Sequence, residues 1–141
     1  MELNIDNRMK SGAQLAFVGD AVFELLVREH IAQKFNTNAK TLHNIAVTYV
    51  SAEAQQRSLG HLIDSLSEEE KDIARRGKNA HKVTAPKNTS HLAYRSATAL
   101  EAVFGYLYLR GKTQRIKELF EILVLFHDGE YDDIQLVLKK K

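Results

Sequence analysis

Residues 15–27 read Leu-Ala-Phe-Val-Gly-Asp-Ala-Val-Phe-Glu-Leu-Leu-Val. Wound into a helix, that run is apolar on almost every side, so it belongs in a core or an interface. Asp20 stands in the middle of it. An ionised carboxylate in such surroundings costs several kcal/mol unless a cation or a partner charge compensates it. The expectation is a buried Asp20 that holds a metal ion or a charged partner.

Helical periodicity continues along nearly the whole chain, and proline occurs once, at Pro86. A short arm over about 1–10 leads into a long helix over about 11–34. Asn36-Thr37-Asn38 breaks it and caps a helix over about 39–49. Ser51 caps another over about 52–65. Ser67-Glu68-Glu69-Glu70 has the Ser-x-x-Glu capping-box form. The helix it opens is expected to run to about Arg76 and to stop at Gly77. A polar, basic loop over 77–89 follows. Ser90 caps a long helix to about Arg110, ended by Gly111, and Thr113 caps a last helix to about His127. The tail 128–141 has Ile134, Leu136 and Leu138 in alternation, which suits a strand or an extended segment as well as a frayed end. The pattern predicts an all-α bundle of about six helices in one domain, with its core over about 11–127.

A chain of 141 residues with 44% hydrophobic content can bury one sizeable core. It has no cysteine, which excludes disulfides and thiolate metal sites. No signal peptide and no membrane-spanning run is visible, so a cytoplasmic protein without membrane attachment is expected. The net charge of +2 hides an uneven distribution. From Lys71 to Arg95 there are seven basic residues against the single acid Asp72, a net +6 that leaves −4 for the rest. Such a segment on an acidic body suits an anionic partner such as nucleic acid. Arg75, Arg76, Lys78, Asn79, Lys82, Lys87, Asn88, Thr89 and Arg95 are the candidate phosphate and ribose contacts. A solvated basic loop is the plain alternative.

On a helical wheel Glu24 lies about 40° from Asp20, with Ala16 about 40° to the other side and Ala13 close by. Glu24 also stands four residues before Arg28, so a surface ion pair competes with any ligand role. The helix after Ser90 carries Ser96, Ala97, Ala99, Ala102 and Gly105, small residues that permit close approach of another helix. The Asp20 helix is the natural neighbour. No nucleophilic triad and no histidine set with metal-ligand spacing stands out.

Two blocks carry a resemblance. Phe17-Val18-Gly19-Asp20-Ala21-Val22-Phe23-Glu24 resembles the signature helix of the ribonuclease III family. Ala99-Leu100-Glu101-Ala102-Val103-Phe104-Gly105-Tyr106-Leu107-Tyr108-Leu109 is similar to that family's second acidic helix. Arg76-Gly77-Lys78-Asn79, Pro86-Lys87-Asn88-Thr89 and Tyr94-Arg95 resemble its Mini-ribonuclease III branch, a catalytic domain with no appended double-stranded-RNA-binding domain. The larger family members usually have acids at the positions of Ala13 and Ala16, and commonly Asp at that of Thr98. The reduced set in this chain matches the branch.

The resemblance implies a ribonuclease III endonuclease-domain-like helical bundle. It implies Asp20 and Glu101 as catalytic residues and metal ligands, with Glu24 a candidate third, and Mg²⁺ as cofactor. Mg²⁺ takes hard oxygen ligands and keeps several waters, which two carboxylates would suit. The implied activity is hydrolysis of double-stranded RNA to 5′-phosphate and 3′-hydroxyl ends by a homodimer. Its implied task is maturation of the large-subunit (23S) ribosomal RNA precursor, with a ribosomal protein as a candidate further partner. The alternative is a decayed nuclease domain that binds structured RNA during ribosome assembly without cutting it. A helical protein-interaction module fits the basic segment least well.

Overall fold

A computed structural model describes residues 10–80 and 89–139. Among them the elements are α1 (Gly12–Lys34), α2 (Ala39–Val50), α3 (Ala52–Leu62) with a 3₁₀ turn (Ile63–Ser65), α4 (Glu68–Lys78), α5 (His91–Leu109) and α6 (Thr113–Lys139). The arm before Lys10 and most of the 77–89 loop, with its Pro86, lie outside the described residues.

Short polar side chains start the helices where the sequence places them. Ser11 and Gln14 form a reciprocal capping box on α1, and Ser67 and Glu70 form one on α4. Asn38, Ser51 and Ser90 cap α2, α3 and α5. Each such cap contributes about 1 kcal/mol. Gly111 follows α5 with φ of 70°, a left-handed turn that a side chain disfavours.

Helix α5 is the hub, and α1, α3, α4 and α6 all pack on it. Leu100, Val103 and Phe104 are fully buried along it, against Leu15, Phe23 and Val27 of α1. The tightest contact is between the backbones of α1 and α5. A Cβ on Gly105 would lie 1.9 Å from the Leu15 carbonyl oxygen, and one on Gly19 would lie 1.6 Å from that of Glu101. No other residue type allows helices to pack so closely at these points. The expected pairing of these two helices is therefore met by two glycines, one from each.

Two boundaries differ from expectation. Helix α4 does not stop at Gly77 but runs to Lys78, with Asn79 as its C-cap. Gly77 is buried there, and an added Cβ would meet Ala102 Cβ at 2.8 Å. Its glycine serves packing against α5, not helix termination. The tail is not a strand: α6 continues unbroken from Thr113 to Lys139. Polar partners meet it over 127–131. Asp128 accepts hydrogen bonds from Tyr49 and His30 and lies 3.4 Å from Lys34 Nζ. Arg57 donates to Glu130 at 2.9 Å, buried His127 meets Ser58, and Tyr131 packs edge-on against Phe35. His30 thus ties α1 to α6 through Asp128.

Charges are also placed inside. Glu70 is 5% exposed, and Arg115 donates to both of its carboxylate oxygens at 2.8 Å. Burial alone would raise the pKa of that carboxyl. The Arg115 and Ser67 hydrogen bonds outweigh it and hold the carboxyl below its ordinary range. No helix among the described residues is long and apolar enough to cross a membrane.

Candidate active site

The Gly19–Glu101 backbone contact sets the register between α1 and α5. Asp20, the next residue on α1, comes out beside the Glu101 side chain. Both line a cleft of about 360 Å³ whose walls include Ala13, Ala16, Thr98 and Gln55. The two residues that the motif blocks single out are thus brought together from positions 81 residues apart in the chain.

The burial is opposite to expectation. Asp20 is exposed in the single chain. The apolar residues around it divide instead: Leu15, Phe23 and Val27 turn into the core, while Phe17 is 82% and Leu25 66% exposed. Leu15 belongs to the core and Phe17 to the exposed face. Glu101 is the desolvated acid. Burial first, then a hydrogen bond with Asp20 and the Asp20 charge, push its carboxyl up to about 8; a Gln55 hydrogen bond opposes this, and the Glu24 charge adds to it.

Glu24 pairs with Arg28 at 2.9 Å, as the spacing predicts. Thr98 is buried, and its hydroxyl donates to the Tyr94 carbonyl at 3.0 Å. Among the described residues no group of three or more His, Asp or Glu is arranged to hold a metal. The cleft offers two carboxylates and the buried amide oxygen of Gln55, which has no hydrogen-bond partner. That all-oxygen set fits a hard divalent ion which retains much of its own water.

Gln55 was not legible as a site residue. It sits on the buried stripe of α3 with Ala54, Ser58 and Leu62. The only sequence signal is a large polar residue on an otherwise small or apolar helix face.

The basic residues divide. Arg75 is exposed and pairs with Asp72 at 2.8 Å. Arg76 donates to the Lys10 carbonyl, tying α4 to the start of α1. Arg95 donates to the Lys78 carbonyl at 2.9 Å and to Asn79 at 3.1 Å, clasping the end of α4 to α5. Lys78 and Thr89 are half-buried. Lys82, Lys87 and Asn88 lie outside the described residues.

A second, larger concavity of about 830 Å³ lies along the outer side of α1. Phe17, Leu25 and Tyr108 form its apolar surface, with Asp20, Glu24 and Arg28 at its polar side.

Residues 13–112 match the ribonuclease III domain family. The chain is 41% identical to the Mini-ribonuclease 3 of Brevibacillus brevis over 129 residues, covering 92% of this chain and 96% of that protein. It is 48% identical to the Mini-ribonuclease 3 of a Thermoanaerobacter species over 110 residues, 78% of each chain. A crystal structure of a Fusobacterium nucleatum protein matches with a TM-score of 0.77 at 39% identity, covering 84% of this chain and 91% of that one.

Proposed function

The chain belongs to the ribonuclease III family and is an endoribonuclease, and from that premise we propose a Mg²⁺-dependent enzyme that cuts double-stranded RNA at the Asp20–Glu101 cleft. The observation that carries this reading is the meeting of those two carboxyls, one at the surface to reach substrate and one desolvated behind it.

Asp20 and Glu101 would hold the cation, with Glu24 adding negative field from one turn along α1. When bound, the cation supplies Lewis-acid stabilisation of charge on the phosphoryl group and an activated water. The chain's own part is orientation. The Gly19–Glu101 contact allows little movement between the helices, so the two carboxylates keep their spacing without reorganisation. Glu101 must release its proton to become a ligand, and the incoming positive charge favours that release. Ala13, Ala16 and Thr98 leave room in the cleft without adding further negative charge.

The RNA would be read by shape. A-form duplexes display phosphates and 2′-hydroxyls across a wide minor groove. Arg75, Arg76 and Lys78, together with Lys82, Lys87, Asn88 and Thr89, supply the charge and hydrogen bonds for that contact. Arg95 and Asn79 would act mainly by holding the end of α4 in place. The exposed Phe17, Leu25 and Tyr108 support a two-fold dimer across α1, with one cleft per protomer facing one strand of the duplex. The biological substrate proposed is the large-subunit ribosomal RNA precursor, in the cytoplasm, with a ribosomal protein as a candidate helper.

The test is cleavage of long duplex RNA with and without Mg²⁺. The expected products carry 5′-phosphate and 3′-hydroxyl ends, and single-stranded RNA of the same sequence stays intact. A pure preparation that binds duplex but never cuts it would favour the non-catalytic alternative.

A further inference from the structure

Gln55 is a buried amide in the wall of the cleft, 4% exposed. Its Nε2 donates to the Val50 carbonyl at 3.0 Å. A carbonyl only accepts, so that bond fixes which end of the amide is nitrogen. Gln55 lines the cleft beside Glu101. The other end, Oε1, is buried and has no donor.

A buried oxygen of this kind calls for a donor. The waters that a Mg²⁺ ion keeps are strong donors, because the ion polarises them. An amide also adds an oxygen without a third negative charge beside two acids that already repel. Helix α3 is held independently of the acids, by the Ser51 cap and by its packing on α5. Gln55 therefore reaches the site from a third element.

We infer that Gln55 is a positioning residue of the divalent-cation site: with Nε2 anchored on the Val50 carbonyl, Oε1 accepts a hydrogen bond from the ion's water shell. This rests on the reading of Asp20 and Glu101 as the cation's ligands.

The experiment is Mn²⁺ binding to the full-length protein, measured by calorimetry without RNA so that cleavage plays no part. Gln55→Leu keeps the bulk and removes both polar ends. It should weaken Mn²⁺ binding about tenfold or more, the scale seen when groups that orient metal ligands are removed. Gln55→Glu restores an oxygen but cannot donate to Val50, so it should bind Mn²⁺ at least as tightly as the parent while remaining less stable without metal. Should Gln55→Leu fail to fold, Gln55→Met fills the same space with a more adaptable chain and carries the same expectation. Folded Leu or Met variants with unchanged Mn²⁺ affinity would overturn the inference, because a purely structural amide alters stability alone. Asp20→Asn separates the two readings. If it also binds Mn²⁺ like the parent, the cation site itself is wrong. If it loses binding while Gln55→Leu does not, only the role of Gln55 falls.

Discussion

The α-carbon of Gly19 faces the backbone carbonyl of Glu101 so closely that a Cβ at residue 19 would lie 1.6 Å from that oxygen. Neither partner is a flexible side-chain end, so nothing near the contact can give way. The same contact that joins α1 to α5 therefore places Asp20 beside Glu101.

Gly19→Ala and Gly105→Ala should each cost about 3 kcal/mol or more, at the upper end of overpacking penalties, because the helices must separate. Gly60→Ala is the control. It lies in α3 with nothing near its would-be Cβ, and should stabilise by up to about 1 kcal/mol through helix propensity. Urea unfolding of the three variants checks the contrast. Equal effects at residues 19 and 60 would contradict the close approach.

Asp20→Asn and Glu101→Gln should each lower Mg²⁺-dependent cleavage by orders of magnitude while leaving helicity and duplex binding near parental. Glu24→Gln should be milder, since its direct partner is Arg28. Single-turnover cleavage rates decide this. A pure Asp20→Asn protein that cuts at nearly the parental rate would refute the site assignment.

Glu101 predicts how metal-free stability changes with pH. Its folded-state pKa is raised from 4.5 to about 8. Between those values the unfolded chain binds fewer protons than the folded one, so stability falls as pH rises through that window and levels off above it. The slope should be absent in Glu101→Gln. Thermal unfolding in chelator across the window tests it, and parallel curves for the two proteins would rule it out. For the same reason, the Mg²⁺ concentration giving half-maximal cleavage should fall as pH approaches 8.

Leu25 and Phe17 present their apolar surface to solvent in the single chain. Light scattering of the parent should give twice the 16.0 kDa chain mass. Leu25→Lys buries a charge in the proposed interface and should shift the protein to monomer, with cleavage reduced. A fully active parental monomer would remove the dimer from the reading.

Neutralising Arg75 and Lys78 together with Lys82 and Lys87 should weaken binding to all duplex sequences alike and flatten its salt dependence, by roughly one slope unit per lost phosphate contact. Arg95→Ala should behave differently. It releases the Lys78 carbonyl and Asn79, so its effect should include lower thermal stability. Unchanged affinity and slope in the four-residue variant would place RNA on another surface.

Residue types determined most helix starts, because a cap acts over three residues and needs no distant partner: Asn38, Ser51, Ser67 and Ser90 cap as their sequence neighbourhoods indicate, while Thr113 is the first residue of α6 instead of its cap. They also determined the family, through the two acidic blocks, and the close approach of α1 and α5, through small residues on α5. Tertiary structure decided what each group faces. It turned Asp20 outward and left Glu101 half-buried, because the glycine contact fixes the rotation of α1 against α5, and helical periodicity cannot say which part of an almost wholly apolar circumference meets a neighbour. It made Gly77 a packing residue rather than a stop, since its neighbour is Ala102 of another helix. It carried α6 through a polar stretch that looks like a frayed end, because Tyr49, His30 and Arg57 supply partners from elsewhere in the chain. It brought Gln55 to the cleft from α3, a placement with no local signature because it depends on three helices meeting.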